Sequence, residues 1–221
     1  MPELVMKGRF RLAGLGKALE RNGFMTNLKQ KTAVPVQEMD RQREFMLLVH
    51  HISEERFLTQ GDYPKAFVRT YGCQGNVADG EKLKGMLEEM GYKLVDSPEG
   101  ADFVLYNTCA IREHAEDRVF GNVGALKNQK RKNPDMLIGL CGCMMQQGHV
   151  AERIKKSYPY VDLVFGTHAM HRFPELFYRA LSSNRRVFEI SQSDGVIAEG
   201  LPTHRDGRYK AWLPIMYGCN N

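Results

Sequence analysis

No run of apolar residues in this 221-residue chain approaches the roughly 20 needed to cross a bilayer, which excludes a membrane-spanning helix. The first stretch, MPELVMKGRFRLAGLGKALERNG, is basic but interrupted by Arg, Lys and Glu, so it lacks the continuous apolar centre of a secretory signal. The expectation is a cytoplasmic protein with no membrane partner. A disulfide framework is excluded on similar grounds, because the cysteines number 5, an odd count, and are widely spaced. Also missing is any Cys-x-x-Cys pair, the usual half of a structural zinc site. Neither sign of charge dominates, with 31 Lys and Arg against 26 Asp and Glu. A surplus of +5 tolerates a polyanionic partner and does not require one.

What is present is the composition of an ordinary globular protein, 43% apolar and 26% charged, long enough to bury a core without cross-links. Residues 1–64 show no strand periodicity and no cysteine. Within them, EMDRQREFMLLVHHISEERFL has helical character, with an apolar centre that needs a partner surface. This region reads as an N-terminal extension, partly helical or flexible. From Lys65 the pattern becomes regular. The apolar runs KAFVRTY, DFVLYNT, MLIGLCG, VDLVFG and RRVFEI alternate with helical spacings. One helix, NVADGEKLKGMLEEMGY, has Gly91 as its C-cap, and another runs from Ile111 to Lys132 and stops at Asn133-Pro134. QQGHVAERIKKSYP and HRFPELFYRALS supply two more. Continuous apolar strands alternating with helices indicate parallel strands covered on both faces. The expected fold over residues 65–192 is therefore α/β, an open, mostly parallel, doubly wound sheet of flavodoxin or Rossmann type. Residues 193–221 turn to polar, Gly-rich loop and then AWLPIMYGC, read as the first strand of a second domain.

Three cysteines share one predicted address. Cys73, Cys109 and Cys143 each end a strand, and in an open parallel sheet the carboxyl ends of the strands line the ligand-binding crevice. Strands lie about 4.8 Å apart, so thiols on three such loops are able to converge. Each also precedes a predicted helix, whose free N–H groups and positive dipole end favour a thiolate. Gly72 and Gly142 let backbone approach closely beside two of them. On the residues alone two readings stay open, a shared metal site and unconnected small hydrophobes. Three thiolates suit an iron–sulfur cluster with one iron left open. Zinc would need a fourth ligand, for which His114 and His149 are the candidates. Cys141 lies within its strand and reads as core packing. The densest basic patch, Lys127, Lys130, Arg131 and Lys132, is either a solvated helix end or a contact for nucleic-acid phosphate.

TYGCQGNVADGE, NTCAIREHAEDRVFGNVGAL and GLCGCMMQ, in that order and spacing, resemble the N-terminal domain of the radical-SAM methylthiotransferases. WLPIMYGCNN resembles the opening of that family's second domain, a radical-SAM barrel. Gln74 and NTCAIRE are most similar to the tRNA-modifying branch. The resemblance implies that Cys73, Cys109 and Cys143 hold an auxiliary [4Fe–4S] cluster associated with sulfur supply. It implies that Cys219 is the first ligand of a second [4Fe–4S] cluster, which generates a radical from S-adenosylmethionine. It further implies tRNA carrying isopentenyladenosine, a sulfur donor and an electron donor as partners, with a methylthio group placed on carbon 2 of that base beside the anticodon. Two departures, Asp79-Gly80-Glu81 for the frequent Asp-Ser-Glu and Met145 for a frequent Ala, fall on no ligand. The family's radical motif has two more cysteines beyond Cys219. The chain therefore reads as a monomeric N-terminal fragment holding at most the auxiliary cluster and not turning over alone. The alternatives are a non-catalytic flavodoxin-like binding module with structural or zinc-binding cysteines, or a methylthiotransferase for a different substrate.

Overall fold

The alternating pattern resolves into a six-stranded parallel sheet in the computed structural model, which describes residues 33–110, 115–183, 185–190, 196–207 and 209–212. The strands are β1 (Lys65–Tyr71), β2 (Lys93–Leu94), β3 (Phe103–Thr108), β4 (Leu137–Gly142), β5 (Leu163–Phe165) and β6 (Val187–Glu189). Their order is β2-β1-β3-β4-β5-β6, with every neighbouring pair parallel. This is the flavodoxin-like order continued by one strand, and its direction of winding reverses between β1 and β3. Five runs were expected as strands. The sixth, β2, is only Lys93–Leu94 at the sheet edge, too short for an alternation to be seen.

The helices are α1 (Val36–Gln60), α2 (Gln74–Glu89), α3 (Ala115–Lys132), α4 (Gly148–Ser157) and α5 (Phe173–Ser183). Among the described residues none is long and apolar enough to cross a membrane. Because side chains alternate along a strand, each strand feeds both faces of the sheet. Phe103 and Leu105 of β3 join Leu83, Met86 and Leu87 of α2 and Phe173 and Phe177 of α5 on one face. Val104 and Tyr106 face the other way, onto Val119 and Val123 of α3 and Val150 and Ile154 of α4. Gly139 leaves the space that Phe103 and Leu105 fill, since a Cβ there would lie 2.8 Å from Leu105 Cδ1.

Helix α1 ends at Gly61, whose φ of 76° is the left-handed cap conformation that glycine adopts without strain. It places Met46 and Val49 in the core on the α2 and α5 side. Polar contacts fix it there: Ser53 Oγ donates to Met90 O at 2.8 Å, and Arg56 Nη2 to Asp102 Oδ1 at 2.7 Å. Gly91, with φ of 80°, follows α2 and packs against Ser53. Residues 201–206 lie along α2. Arg205 Nη1 donates to the buried Glu81 carboxylate at 2.7 Å, and His204 N–H donates to Glu81 O at 2.9 Å. Gly85 permits this, because a Cβ would lie 2.6 Å from the Pro202 carbonyl carbon.

Candidate metal centre

The strand register sets the site. Tyr71 of β1 is level with Thr108 of β3, and Thr108 with Gly142 of β4. Cys73 follows two residues after Tyr71, and Cys109 and Cys143 one residue after Thr108 and Gly142. All three thus leave neighbouring strands at one level, at the carboxyl edge and beside the β1/β3 reversal where ligands of such sheets bind. Cys73 is the N-cap of α2 and is exposed. Cys109 is 2% exposed. Cys143 is half-buried and opens a 3₁₀ turn, Cys143–Gln146, and the helix expected from Gln146 follows as α4 from Gly148.

Between the cysteines lies a side chain that sequence reasoning passed over. Asn76, 2% exposed, is the third residue of α2. Its Oδ1 accepts from the Cys73 N–H at 3.3 Å and stands 3.3 Å from Cys73 Sγ. Its Nδ2 donates to Thr108 O at 3.3 Å and points to Cys143 Sγ at 3.9 Å. Asn107 in turn donates from Nδ2 to Asn76 O at 2.7 Å, and Thr108 Oγ1 donates to Cys141 O at 2.7 Å. The Asn107 Oδ1 is buried and accepts no hydrogen bond among the described residues. The only signal in the sequence was position, an asparagine three residues after a capping cysteine.

Burial pushes the Cys143 thiol up to about 11; the Asn76 hydrogen bond opposes this, while Cys109, Asp79 and Cys73 nearby add to it. Negative charge on the Cys143 thiol is thus costly unless a positive centre shares its surroundings. Among the described residues, no three His, Cys, Asp or Glu side chains stand close enough for a single metal ion. Three thiols are donors of the kind that iron–sulfur clusters use, whereas structural zinc ordinarily takes four ligands.

The remaining candidates are placed as follows. Cys141 is fully buried within the core, where burial raises its thiol pKa well above the ordinary value. His149 is exposed on α4. His114 and Cys219 lie outside the described residues. Lys127, Arg131 and Lys132 are exposed on the last turns of α3. Lys130 turns inward: its Nζ reaches Asp162 Oδ2 at 3.0 Å and also donates to Met136 O. Asp162 Oδ2 accepts the Ile138 N–H at 2.8 Å as well, so Lys130 helps join β4 to the loop before β5.

Comparison with known proteins bears on the same region. Residues 65–166 match the family described as "Uncharacterized protein family UPF0004". A tRNA-2-methylthio-N(6)-dimethylallyladenosine synthase of Clostridioides difficile is 46% identical over 197 residues, covering 89% of this chain and 41% of the relative. The protein of the same name from Caldicellulosiruptor saccharolyticus is 44% identical over 180 residues, 81% of this chain and 38% of the relative. That of Clostridium perfringens is 50% identical over 154 residues, 70% of this chain and 34% of the relative. The chain therefore spans about two fifths or less of the length of these curated relatives. Residues 65–166, which carry all three cysteine loops, thus form a region that matches the UPF0004 family, in a chain similar to the N-terminal part of proteins named tRNA-2-methylthio-N(6)-dimethylallyladenosine synthase.

Proposed function

We propose that Cys73, Cys109 and Cys143 hold a [4Fe–4S] cluster, and that the full-length protein is a cytoplasmic, monomeric radical-SAM enzyme. Its reaction would place a methylthio group on carbon 2 of isopentenyladenosine in tRNA, with S-adenosylmethionine, a sulfur donor and an electron donor as co-reactants. Cys219 would contribute the first ligand of the second cluster. The observation that carries this reading is the register, which sets three thiols on adjacent strand ends around one buried carboxamide. A cluster held by three cysteines supplies an iron open to an added sulfur ligand and a store for an electron. The chain's own residues do the rest. Cys73, on the exposed rim, would be the ligand nearest to incoming substrate, with Cys109 and Cys143 set deeper. Gly142 lets β4 pass close against Thr108 so that Cys143 can turn into the site.

Anaerobic reconstitution with iron and sulfide tests the site. The expected result is about four irons per chain, with most lost in Cys73→Ala. A chain that takes up only zinc, or nothing, would leave the non-catalytic binding module as the better account. For the substrate, mass spectrometry of tRNA from a strain lacking the full-length gene should show methylthio-isopentenyladenosine missing. Its persistence would move the enzyme to another substrate.

For tRNA contact the candidates are the exposed members of the basic patch, Lys127, Arg131 and Lys132, since Lys130 has the structural partner described above. In the full-length protein, Lys127→Glu should weaken tRNA binding and reduce the salt slope by about one. Lys130→Met should leave that slope unchanged and cost about 1–3 kcal/mol of stability. An unchanged slope in Lys127→Glu would return the patch to a solvated helix end.

A further inference from the structure

The Asn76 side chain meets the backbone or sulfur of all three cysteine loops. Its carboxamide meets the Cys73 amide and sulfur through Oδ1, and the Thr108 carbonyl before Cys109 and the Cys143 sulfur through Nδ2. It is 2% exposed, and Asn107 holds its backbone carbonyl at 2.7 Å. Gly72 is fitted to it, since a Cβ there would lie 2.6 Å from Asn76 Cγ. So buried an amide is costly unless its polar atoms are partnered, and here every partner belongs to a cysteine loop.

The geometry points to Asn76 as the positioning residue of the metal centre, a hydrogen-bond donor that fixes the three loops and adjusts the electron affinity of the group they hold. This rests on the cluster reading of Cys73, Cys109 and Cys143. Two roles separate along the carboxamide. The Oδ1 side anchors the start of α2, and so the Cys73 loop. The Nδ2 side ties that anchor to β3 and presents an N–H to the Cys143 sulfur. A hydrogen bond to a ligating sulfur spreads its negative charge and favours the reduced, more anionic state, so such donors raise the reduction potential. Asn76 needs no contact with the iron to do this. It acts through the ligands.

Asn76→Asp and Asn76→Ala separate the roles. Aspartate keeps the shape and the Oδ1 acceptor but replaces the N–H donor by negative charge, whereas alanine removes both. After anaerobic reconstitution, iron and sulfide content and the midpoint potential from an EPR-monitored titration are measured alongside circular dichroism. Asn76→Asp should load iron with its potential shifted negative of wild type, and Asn76→Ala should stay folded while losing most of its iron. A merely structural residue would lower the folded fraction and leave the potential of the loaded fraction unmoved. Unchanged loading and potential in both variants would overturn the inference, as would loss of the folded state in both. A wild-type chain that binds no iron would instead overturn the cluster reading itself.

Discussion

Gly142→Ala should be among the most damaging single-methyl changes in this protein, lowering stability by about 2–6 kcal/mol and abolishing iron uptake by whatever folds. Gly142 has φ of 100° and ψ of −171°, a region that residues with a Cβ scarcely enter, at a cost of about 1–3 kcal/mol. Space is the second problem. An added Cβ would collide with the Thr108 carbonyl oxygen and lie 2.6 Å from Asn107 Oδ1. Backbone on the paired strand cannot step aside as a flexible side chain would, and overpacking of this kind costs about another 1–3 kcal/mol. Measured against a total of about 5–15 kcal/mol for a typical domain, the sum is severe. Because Cys143 is the next residue, any relief by backbone shift moves a thiol out of the site. Urea denaturation and iron content of the reconstituted variant are the two measurements. A wild-type denaturation midpoint together with full iron content would contradict the close approach of β3 and β4 described here.

The second large effect is expected far from the cysteines. Phe173→Ala should cost about 3–5 kcal/mol, the range for a buried aromatic truncated to alanine. Phe173 is fully buried at the start of α5 and packs against Phe165, Phe177 and Phe103 at ring-centroid distances of 5.6, 5.5 and 6.2 Å. Neighbours drawn from β3, β5 and α5 cannot all collapse into the space left behind, so the cavity persists. Iron content per folded chain should nevertheless match wild type, since no contact described for Phe173 involves a cysteine loop. Leu58→Ala, at a side chain 81% exposed, is the control and should change stability by no more than about 0.5 kcal/mol. Chemical denaturation separates the two variants, and equal losses would mean the aromatic cluster is not the centre of the core.

Much of the architecture could be read along the chain because it is written locally. An apolar run followed by a helical spacing reflects the geometry of a single segment, so β1, β3, β4, β5 and β6 and the helices after them were all visible as patterns. So was the placement of Cys73, Cys109 and Cys143 at the ends of apolar runs, which needs only the strand boundaries. Strand β2 escaped, because a two-residue strand has no period. The buried role of α1 was less legible. Its core residues Met46 and Val49 share the helix with exposed Leu47, Leu48 and Leu58, so no clean apolar stripe marks the packed face.

Other features depend on packing between residues far apart in sequence. Lys130 looked like its basic neighbours until Asp162 was found beside it, 32 residues on. Asn76 looked like any polar residue in the first turn of a helix until the register of β1 on β3 and β3 on β4 brought Thr108 and Cys143 to its Nδ2 end, opposite the Oδ1 that meets Cys73. Composition and periodicity, which obey backbone geometry within one segment, were enough to name the α/β class and pick out the three thiols. Which thiols are buried, which polar group lies between their loops and which glycine has no room for a Cβ were decided only by backbone and side chains meeting across the sheet, since those contacts exist only once separate segments have packed.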